Sequence, residues 1–264
     1  MQKTNFNYEI IIGEDCSTDG TRELVFEYKR RYPNKIKVVT SEKNVGAHKN
    51  FIRTVGAARG KYIALCEGDD YWTDPYKLQK QVDFLEAHEE YGLVHTDADY
   101  YYIKNKRYEY NYILNFLNKS NLNKIDDKFI YWFRCGYPII TCTVILRKKI
   151  WHKMKYKTVN DMNKFVMGDT FIWLNYMLKS KIHFIQESTA VHNILMESAA
   201  HSESLEKILR FNLSSLKLAR YFAKKKSVRK KIVKKRYHSF IVNILTIAYK
   251  LDNNKIISEL RKIN

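Results

Sequence analysis

The chain has 264 residues, of which 45% are apolar, and it carries a formal net charge of +19. Its length suits one large domain, or one domain with a helical appendage, and the apolar fraction is ordinary for a protein with a buried core. No uncharged apolar run reaches the roughly 18 residues of a membrane-spanning helix, and the N-terminal segment lacks the apolar stretch of a signal peptide.

The four cysteines also bear on location and metal content. Their spacing fits neither a zinc site nor a disulfide framework (Cys16, Cys66, Cys135 and Cys142). Free thiols are typical of a reducing cytosol, so we expect a cytoplasmic protein.

The first half alternates short apolar strands with amphipathic helices. Strands are predicted at 9–12, 36–39, 61–66 and 92–95, and helices at 19–32, at 47–58 and from about Pro75 onward. The first helix has an apolar face formed by Leu24, Val25 and Tyr28. This alternation predicts an α/β fold, with a mostly parallel sheet and helices on its faces.

The second half is less regular. Residues 100–117 predict a hairpin or a flexible loop, 139–146 and 181–185 predict strands, and 169–178 predict a helix. From about Glu203 the pattern is helical and basic. We therefore expect a main domain over residues 1–200 and a basic helical extension over 201–264.

Acidic residues follow two of the predicted strands. Glu14 and Asp15 follow the first strand, and Glu67, Asp69 and Asp70 follow the third. Ligands of open α/β sheets bind beyond the carboxyl ends of the strands, and hard divalent cations prefer carboxylate oxygens together with substrate phosphates. A metal and diphosphate site is one interpretation, and the other is that Asp69 and Asp70 only cap the next helix.

Four segments, taken in order, resemble the family 2 glycosyltransferases: EIIIGEDCSTDGT, NVGAHKN, GKYIALCEGDDYWTDPYKLQKQ and MGDTFIWLNYM. The resemblance is strongest over residues 8–99 and implies a GT-A fold. It also implies metal-assisted, inverting transfer from a nucleoside-diphosphate sugar to a saccharide or lipid-linked acceptor, in bacterial surface polysaccharide assembly. The implied cofactor is a divalent metal, Mg²⁺ or Mn²⁺.

The resemblance also implies roles for individual residues. Asp69 and Asp70, with Glu67 at the first acidic position, correspond to the metal-binding residues, and Asp69 also to a donor contact. Asp169 corresponds to the catalytic base, which would take a proton from the acceptor hydroxyl. The remaining nucleotide- and sugar-binding positions are Glu14, Asp15, Asn44, Gly46, Lys49 and Asn50.

The sequence departs from the family pattern in three places. Family domains open with a strand and a helix that would precede Tyr8, so we expect the strands at 9–12 and 62–65 either to close on each other or to leave a gap. An inactive, truncated glycosyltransferase is therefore an alternative. Glu67 stands where Asp is more usual, and residues 191–193 stand where a Tyr-Arg pair is often found.

Between Lys207 and Arg236 the chain has thirteen Lys or Arg and no Asp or Glu. This segment predicts a solvated helix face, a peripheral contact with the anionic inner face of the plasma membrane, or a nucleic-acid-binding protein. No nucleic-acid-binding motif accompanies it, so no nucleic-acid partner is expected. For membrane contact, the relevant apolar residues between the basic ones are Phe222, Ile232, Val233, Tyr237, Phe240 and Ile241.

Overall fold

A computed structural model describes residues 2–119, 127–154, 160–195, 202 and 204–252. The strands in this part of the chain are β1 (Ile10–Gly13), β2 (Ile36–Val39), β3 (Tyr62–Ala64), β4 (Tyr71–Trp72), β5 (Tyr91–Tyr102), β6 (Arg107–Glu109), β7 (Ile145–Arg147) and β8 (Lys181–Ile194). The helices are α1 (Thr21–Arg31), α2 (Ala47–Ala57), α3 (Lys77–Ala87), α4 (Tyr112–Lys119), α5 (Lys128–Cys135), α6 (Lys148–Lys153), α7 (Gly168–Lys179), α8 (Leu205–Lys225) and α9 (Lys230–Lys250).

A small sheet is formed by β1 and β2, which pair in parallel with Ile10 opposite Ile36. Helix α2 packs so closely on β1 that a Cβ on Gly13 would lie 2.1 Å from Thr54 Oγ1. Helix α1, in contrast, has no buried residue, and Leu24 and Tyr28 are exposed. The predicted apolar face is therefore not a core face in the described structure, where α1 lies beside β2.

The larger sheet has six strands in the order β3-β7-β5-β8-β4, with β6 paired to β5. Only β5 and β8 are parallel within it, and the other pairs are antiparallel. The sheet is thus more mixed than the strand-helix alternation predicts. Both central strands also extend beyond the predicted segments, and β5 continues into a hairpin with β6, as one interpretation of 100–117 predicts.

The two sheets are separate: within the described residues, β1 and β3 are not paired with each other. Of the two arrangements expected from the sequence, the structure has the gap. Helix α2 spans the two parts. Its Asn50 Nδ2 donates to the carbonyl of Gly13 at 2.8 Å, and its Phe51 ring packs edge-on against Trp151 of α6.

Helices α8 and α9 complete the core next to α5 and α7. Phe222 and Val233 are buried there, and the other apolar residues considered for membrane contact pack inward as well (Ile232, Tyr237, Phe240 and Ile241). These six residues therefore take part in packing within the protein, and contact of the basic helices with a membrane stays a prediction. Among the helices the structure describes, none combines the length and the apolar character required to traverse a bilayer.

Three of the cysteines have described side chains, and all three are free thiols, as predicted (Cys16, Cys66 and Cys142).

Candidate functional site

The turn after β1 is tied to the N-terminus of α2 by Asp15. Its carboxylate accepts hydrogen bonds from the backbone N–H groups of Val45 and Gly46, both at 2.9 Å. Asn44 completes the link, because its Nδ2 donates to the Asp15 carbonyl at 3.0 Å. Gly46 has φ of 87°, which a side chain would strain, so glycine suits this turn. The NVG segment is thereby held in a fixed shape at the helix start.

Glu14 is buried beneath this turn, and its carboxylate is fully engaged. It accepts from Ser17 N–H, Thr40 Oγ1 and Arg22 Nη1, at 2.6, 2.6 and 2.9 Å respectively. Burial opposes its ionisation, but these hydrogen bonds and the Arg22 charge outweigh burial and lower the pKa of Glu14. The residue anchors the acidic turn from inside the protein.

Arg53 lies one helical turn beyond Asn50 and crosses the same region. Its Nη2 donates to the Glu14 carbonyl at 2.7 Å and lies 3.3 Å from Asp15 Oδ1, while its Nε donates to Asn50 Oδ1 at 3.0 Å. Lys49 is exposed on the same helix. Two cations thus stand beside the predicted nucleotide-binding residues.

The predicted metal-binding segment lies between β3 and β4 and is held by the end of β8. The Asp70 carboxylate, whose side chain is only 1% exposed, is 3.0 Å from His192 Nδ1 and accepts from Asn193 N–H at 2.9 Å. Asn193 Nδ2 also donates to the Asp69 carbonyl. Burial disfavours the imidazolium, but the hydrogen bond to Asp70 and the nearby acidic charges raise the pKa of His192.

Glu67 and Asp69 reach solvent, unlike Asp70. The surrounding protein nevertheless desolvates the Glu67 carboxyl, and together with the negative charge of Asp70 this raises the pKa of Glu67 to about 7. The negative charge of Asp169 also contributes to the raised pKa of Glu67, so Asp169 interacts electrostatically with this segment. The acidic groups after β3 and at the start of α7 therefore belong to one electrostatic cluster.

Asp169 occupies the first turn of α7, where its Oδ1 accepts from Thr170 N–H at 2.6 Å. Desolvation by the surrounding protein raises its pKa, although the side chain remains open to solvent. The Asp169 carboxylate is thus accessible from solvent and also close to other protein atoms. His48 of α2 lies alongside, since a Cβ on Gly168 would come within 2.6 Å of His48 Nε2.

A sequence model described as "Glycosyl transferase family 2" matches residues 1–153. The chain belongs to this family.

Relatives and solved structures agree with this family. The uncharacterized protein Rv1520 of Mycobacterium tuberculosis is 52% identical over 89 residues, which are 34% of this chain and 26% of that protein. TuaG of Bacillus subtilis is described as a putative teichuronic acid biosynthesis glycosyltransferase. It is 36% identical over 85 residues, which are 32% of this chain and 33% of that protein. The chain thus spans about a quarter to a third of the length of these relatives.

The fold itself is similar to that of the mannosyltransferase PcManGT from Pyrobaculum calidifontis, solved with GDP-Man and Mn²⁺. The TM-score is 0.62 at 13% identity, over 94% of this chain and 67% of that one. The expected GT-A fold is therefore confirmed.

The residues of this family 2 chain fit a hard divalent cation. Glu67, Asp69 and Asp70 offer the carboxylate oxygens that such a cation prefers, and desolvation together with the negative charge of Asp70 raises the pKa of Glu67. Within the described residues, the set whose ligand atoms lie within 4.8 Å of one another is a different one, Asp70, Cys142 and His192. Burial strongly raises the pKa of the Cys142 thiol, which opposes its deprotonation to the thiolate that binds metals.

The structure groups the sequence-predicted residues of this glycosyltransferase chain into two clusters joined by α2. One is at the turn after β1 (Glu14, Asp15, Asn44, Gly46 and Asn50, with Lys49 on the exposed side), and the other is the acidic cluster (Glu67, Asp69, Asp70 and Asp169). Sequence reasoning missed Arg53, which stands three residues after Asn50 on the same helix face. Residues 191–193 stood out only as a departure from the family pattern, although His192 contacts Asp70.

Proposed function

We propose that this chain transfers a sugar from a nucleoside-diphosphate donor to a saccharide or lipid-linked acceptor, with inversion and with a divalent metal, Mg²⁺ or Mn²⁺. The observation that carries the proposal is the electrostatic cluster of Glu67, Asp70 and Asp169, in which desolvation and mutual repulsion raise the pKa of Glu67 to about 7. Carboxylates with such strongly perturbed pKa values are typical of functional sites.

The donor nucleotide is assigned to the turn after β1 and the start of α2. Asp15 and Asn44 hold this turn in shape, while Lys49 and Arg53 supply positive charge nearby. Positive charge near a helix start favours anionic groups. The GDP-Man bound by PcManGT supports this class of donor.

Glu67, Asp69 and Asp70 would hold the metal, with His192 and Asn193 fixing the position of Asp70. A divalent cation there would stabilise the charge that develops on the leaving diphosphate. Mn²⁺ in the PcManGT structure supports the metal class.

Asp169 is assigned as the general base. It is open to solvent, so an acceptor hydroxyl can reach it, and its raised pKa makes it a stronger base than an ordinary aspartate. An ionised Asp169 accepts the hydroxyl proton while the acceptor oxygen attacks the anomeric carbon from the side opposite the leaving group. This single displacement inverts the anomeric configuration.

The biological setting we propose is surface polysaccharide assembly, which the name of TuaG supports. A cytoplasmic location and contact of the basic C-terminal helices with the inner face of the membrane remain predictions. The domain boundary at residue 200 also remains a prediction, since α8 shares the core with α5 and α7. A basic nucleic-acid-binding protein is the alternative that the charge alone would favour.

Calorimetric titration tests the proposal. UDP, GDP and dTDP are each titrated with Mn²⁺ and with EDTA into the wild type, Asp69→Asn and the surface control Asp83→Asn. We expect one nucleotide to bind with Mn²⁺, EDTA and Asp69→Asn to abolish that binding, and Asp83→Asn to leave it unchanged. Metal-independent binding that survives Asp69→Asn would overturn the metal assignment, and binding of duplex DNA or RNA but of no nucleotide would favour the alternative.

A further inference from the structure

A group of tyrosines lies beside the metal-binding segment. Tyr71 follows Asp70 directly in the sequence, and its hydroxyl is 3.5 Å from that of Tyr108 on β6. Tyr108 in turn packs against Tyr101 of β5, with ring centroids 4.6 Å apart, and stacks on Tyr110 at 5.7 Å. We call these four residues the tyrosine platform.

The platform is exposed rather than part of the core. Tyr71, Tyr108 and Tyr110 are 45%, 40% and 62% exposed, which is unusual for three neighbouring aromatic rings. Apolar side chains in contact normally withdraw from water together, so an exposed aromatic group of this size marks an interaction surface.

Strand register places the platform next to the acidic cluster. Tyr101 is opposite Tyr108 on one side and opposite Asn193 of β8 on the other. Opposite residues of paired strands project from the same face of a sheet. Asn193 donates to Asp69 and Asp70, so the platform and the metal-binding segment share one continuous surface.

The hairpin that carries the platform is held firmly. The Arg107 guanidinium lies 4.4 Å from the centroid of the Tyr102 ring, and the Tyr102 hydroxyl donates to Glu109 at 2.9 Å. These contacts lie across the β5–β6 pair and limit its movement. The rings of Tyr108 and Tyr110 are therefore presented in a defined orientation before any ligand arrives.

The chemistry of the platform selects the kind of ligand. Phenol rings offer flat apolar faces bordered by hydroxyls, which match the C–H face and the hydroxyl rim of a pyranose. A lipid chain would need aliphatic side chains, but the exposed residues of the hairpin turn are mainly basic, with Ile103 as the aliphatic exception. We propose that the tyrosine platform binds the pyranose rings of an oligosaccharide acceptor and aligns its end with Asp169; this rests on the proposed function.

The test uses cellohexaose, chitohexaose and hexagalacturonate as probes, with binding followed by saturation-transfer NMR on the full chain. At least one hexasaccharide should bind the wild type. Tyr110→Ala and Tyr108→Ala should each weaken that binding roughly five- to tenfold, because each removes one stacking surface. Tyr110→Phe should retain most of the affinity, and Tyr249→Ala, which changes an 84% exposed tyrosine on α9, should have no effect.

Nucleotide binding with Mn²⁺, measured on the same proteins, separates the two proposals. We expect the platform variants to bind nucleotide as the wild type does. A wild type that binds nucleotide but none of the hexasaccharides, or variants with unchanged saccharide affinity, would overturn the platform. A wild type that binds a hexasaccharide through these tyrosines but no nucleotide would overturn the proposed donor and leave the platform standing.

Discussion

The imidazole Nδ1 of His192 lies 3.0 Å from both carboxylate oxygens of Asp70, across 122 residues of sequence. Asp70 is almost wholly buried, so His192 and Asn193 supply the partners that water would otherwise provide. The position of a candidate metal ligand thus depends on the far end of β8.

Replacing this histidine should destabilise the protein in a pH-dependent way. The pKa of His192 is raised above its ordinary value of 6.5, so its ion pair stabilises the fold fully below that pH and is lost as pH rises through the folded-state pKa. We expect His192→Ala to lower the free energy of unfolding by about 1–3 kcal/mol at pH 6, and by less at pH 9. Urea denaturation in EDTA measures both, with exposed His238→Ala as the control. An equal loss at both pH values would show that packing, not the ion pair, is what His192 contributes.

The contribution of Glu14 to stability should have the opposite pH dependence to that of His192. The pKa of Glu14 is lowered in the folded state, so its contribution to stability is present above the unfolded-state value of about 4.5 and disappears as pH falls through the folded-state pKa. Glu14→Gln should lower the free energy of unfolding by about 1–3 kcal/mol at pH 7, because it weakens the bonds from Arg22, Thr40 and Ser17. The deficit should shrink in acid. Exposed Glu89→Gln is the matched control, and a deficit that stays constant down to pH 3 would contradict the assignment.

The assignment of Asp169 as the general base can be tested by measuring the rate of sugar transfer. Asp169→Asn should lower kcat for sugar transfer by about 10²-fold or more with little change in donor affinity, because a base acts only in the chemical step. In the wild type, kcat should fall in acid with a midpoint above the ordinary aspartate value of 3.8, since desolvation raises the pKa of Asp169. Steady-state rates between pH 4 and pH 9 provide the profile. Loss of donor binding in Asp169→Asn would instead make this residue a binding group or a helix cap.

Lys77 is fully buried on α3, where its Nζ donates to Gln81 Oε1 at 2.6 Å and lies 4.6 Å from the centroid of the Trp72 ring. Burial lowers its pKa to about 7, so between pH 7 and its ordinary value of 10.5 the unfolded chain binds more protons than the folded one. Stability should therefore rise with pH across this window. Lys77→Met keeps the side-chain length and should remove that part of the rise. Denaturation at pH 7 and pH 9 measures how the free energy of unfolding of each protein changes with pH. An identical change in the wild type and in Lys77→Met would show that Lys77 does not titrate in this window.

Local sequence patterns predicted several of the short strands and helices, whose residues are close together in the sequence. The apolar runs of β1 and β2 and the bounds of α7 lie within two residues of the predicted segments. The long central strands do not, because their second halves carry polar residues. Thr96 and Thr189 are buried through a mutual hydroxyl hydrogen bond of 2.6 Å, which depends on strand pairing that no local pattern contains.

The site shows the same division. Short motifs pointed to the acidic segments and to Asp169, but their assigned roles came from family resemblance and remain to be tested. The contact between His192 and Asp70 could not be predicted, since it arises from the register of β4 on β8. Arg53 could have been predicted from the sequence, because it stands three residues after Asn50 and residues three apart on a helix share a face.

The separation of β1 and β2 from the larger sheet has a consequence for local opening. A two-stranded sheet is marginal by itself, and this one is flanked by a helix with no buried residue. The contacts of this small sheet with the rest of the protein include the hydrogen bonds from Asn50 to Gly13 and from Arg53 to Glu14. Amide protons of β1 and β2 should therefore exchange with solvent through a partial unfolding that leaves β5 and β8 protected. A nucleotide that contacts both α2 and the acidic cluster would suppress this opening, and its binding would be recorded as slower deuterium uptake in strands that it does not touch.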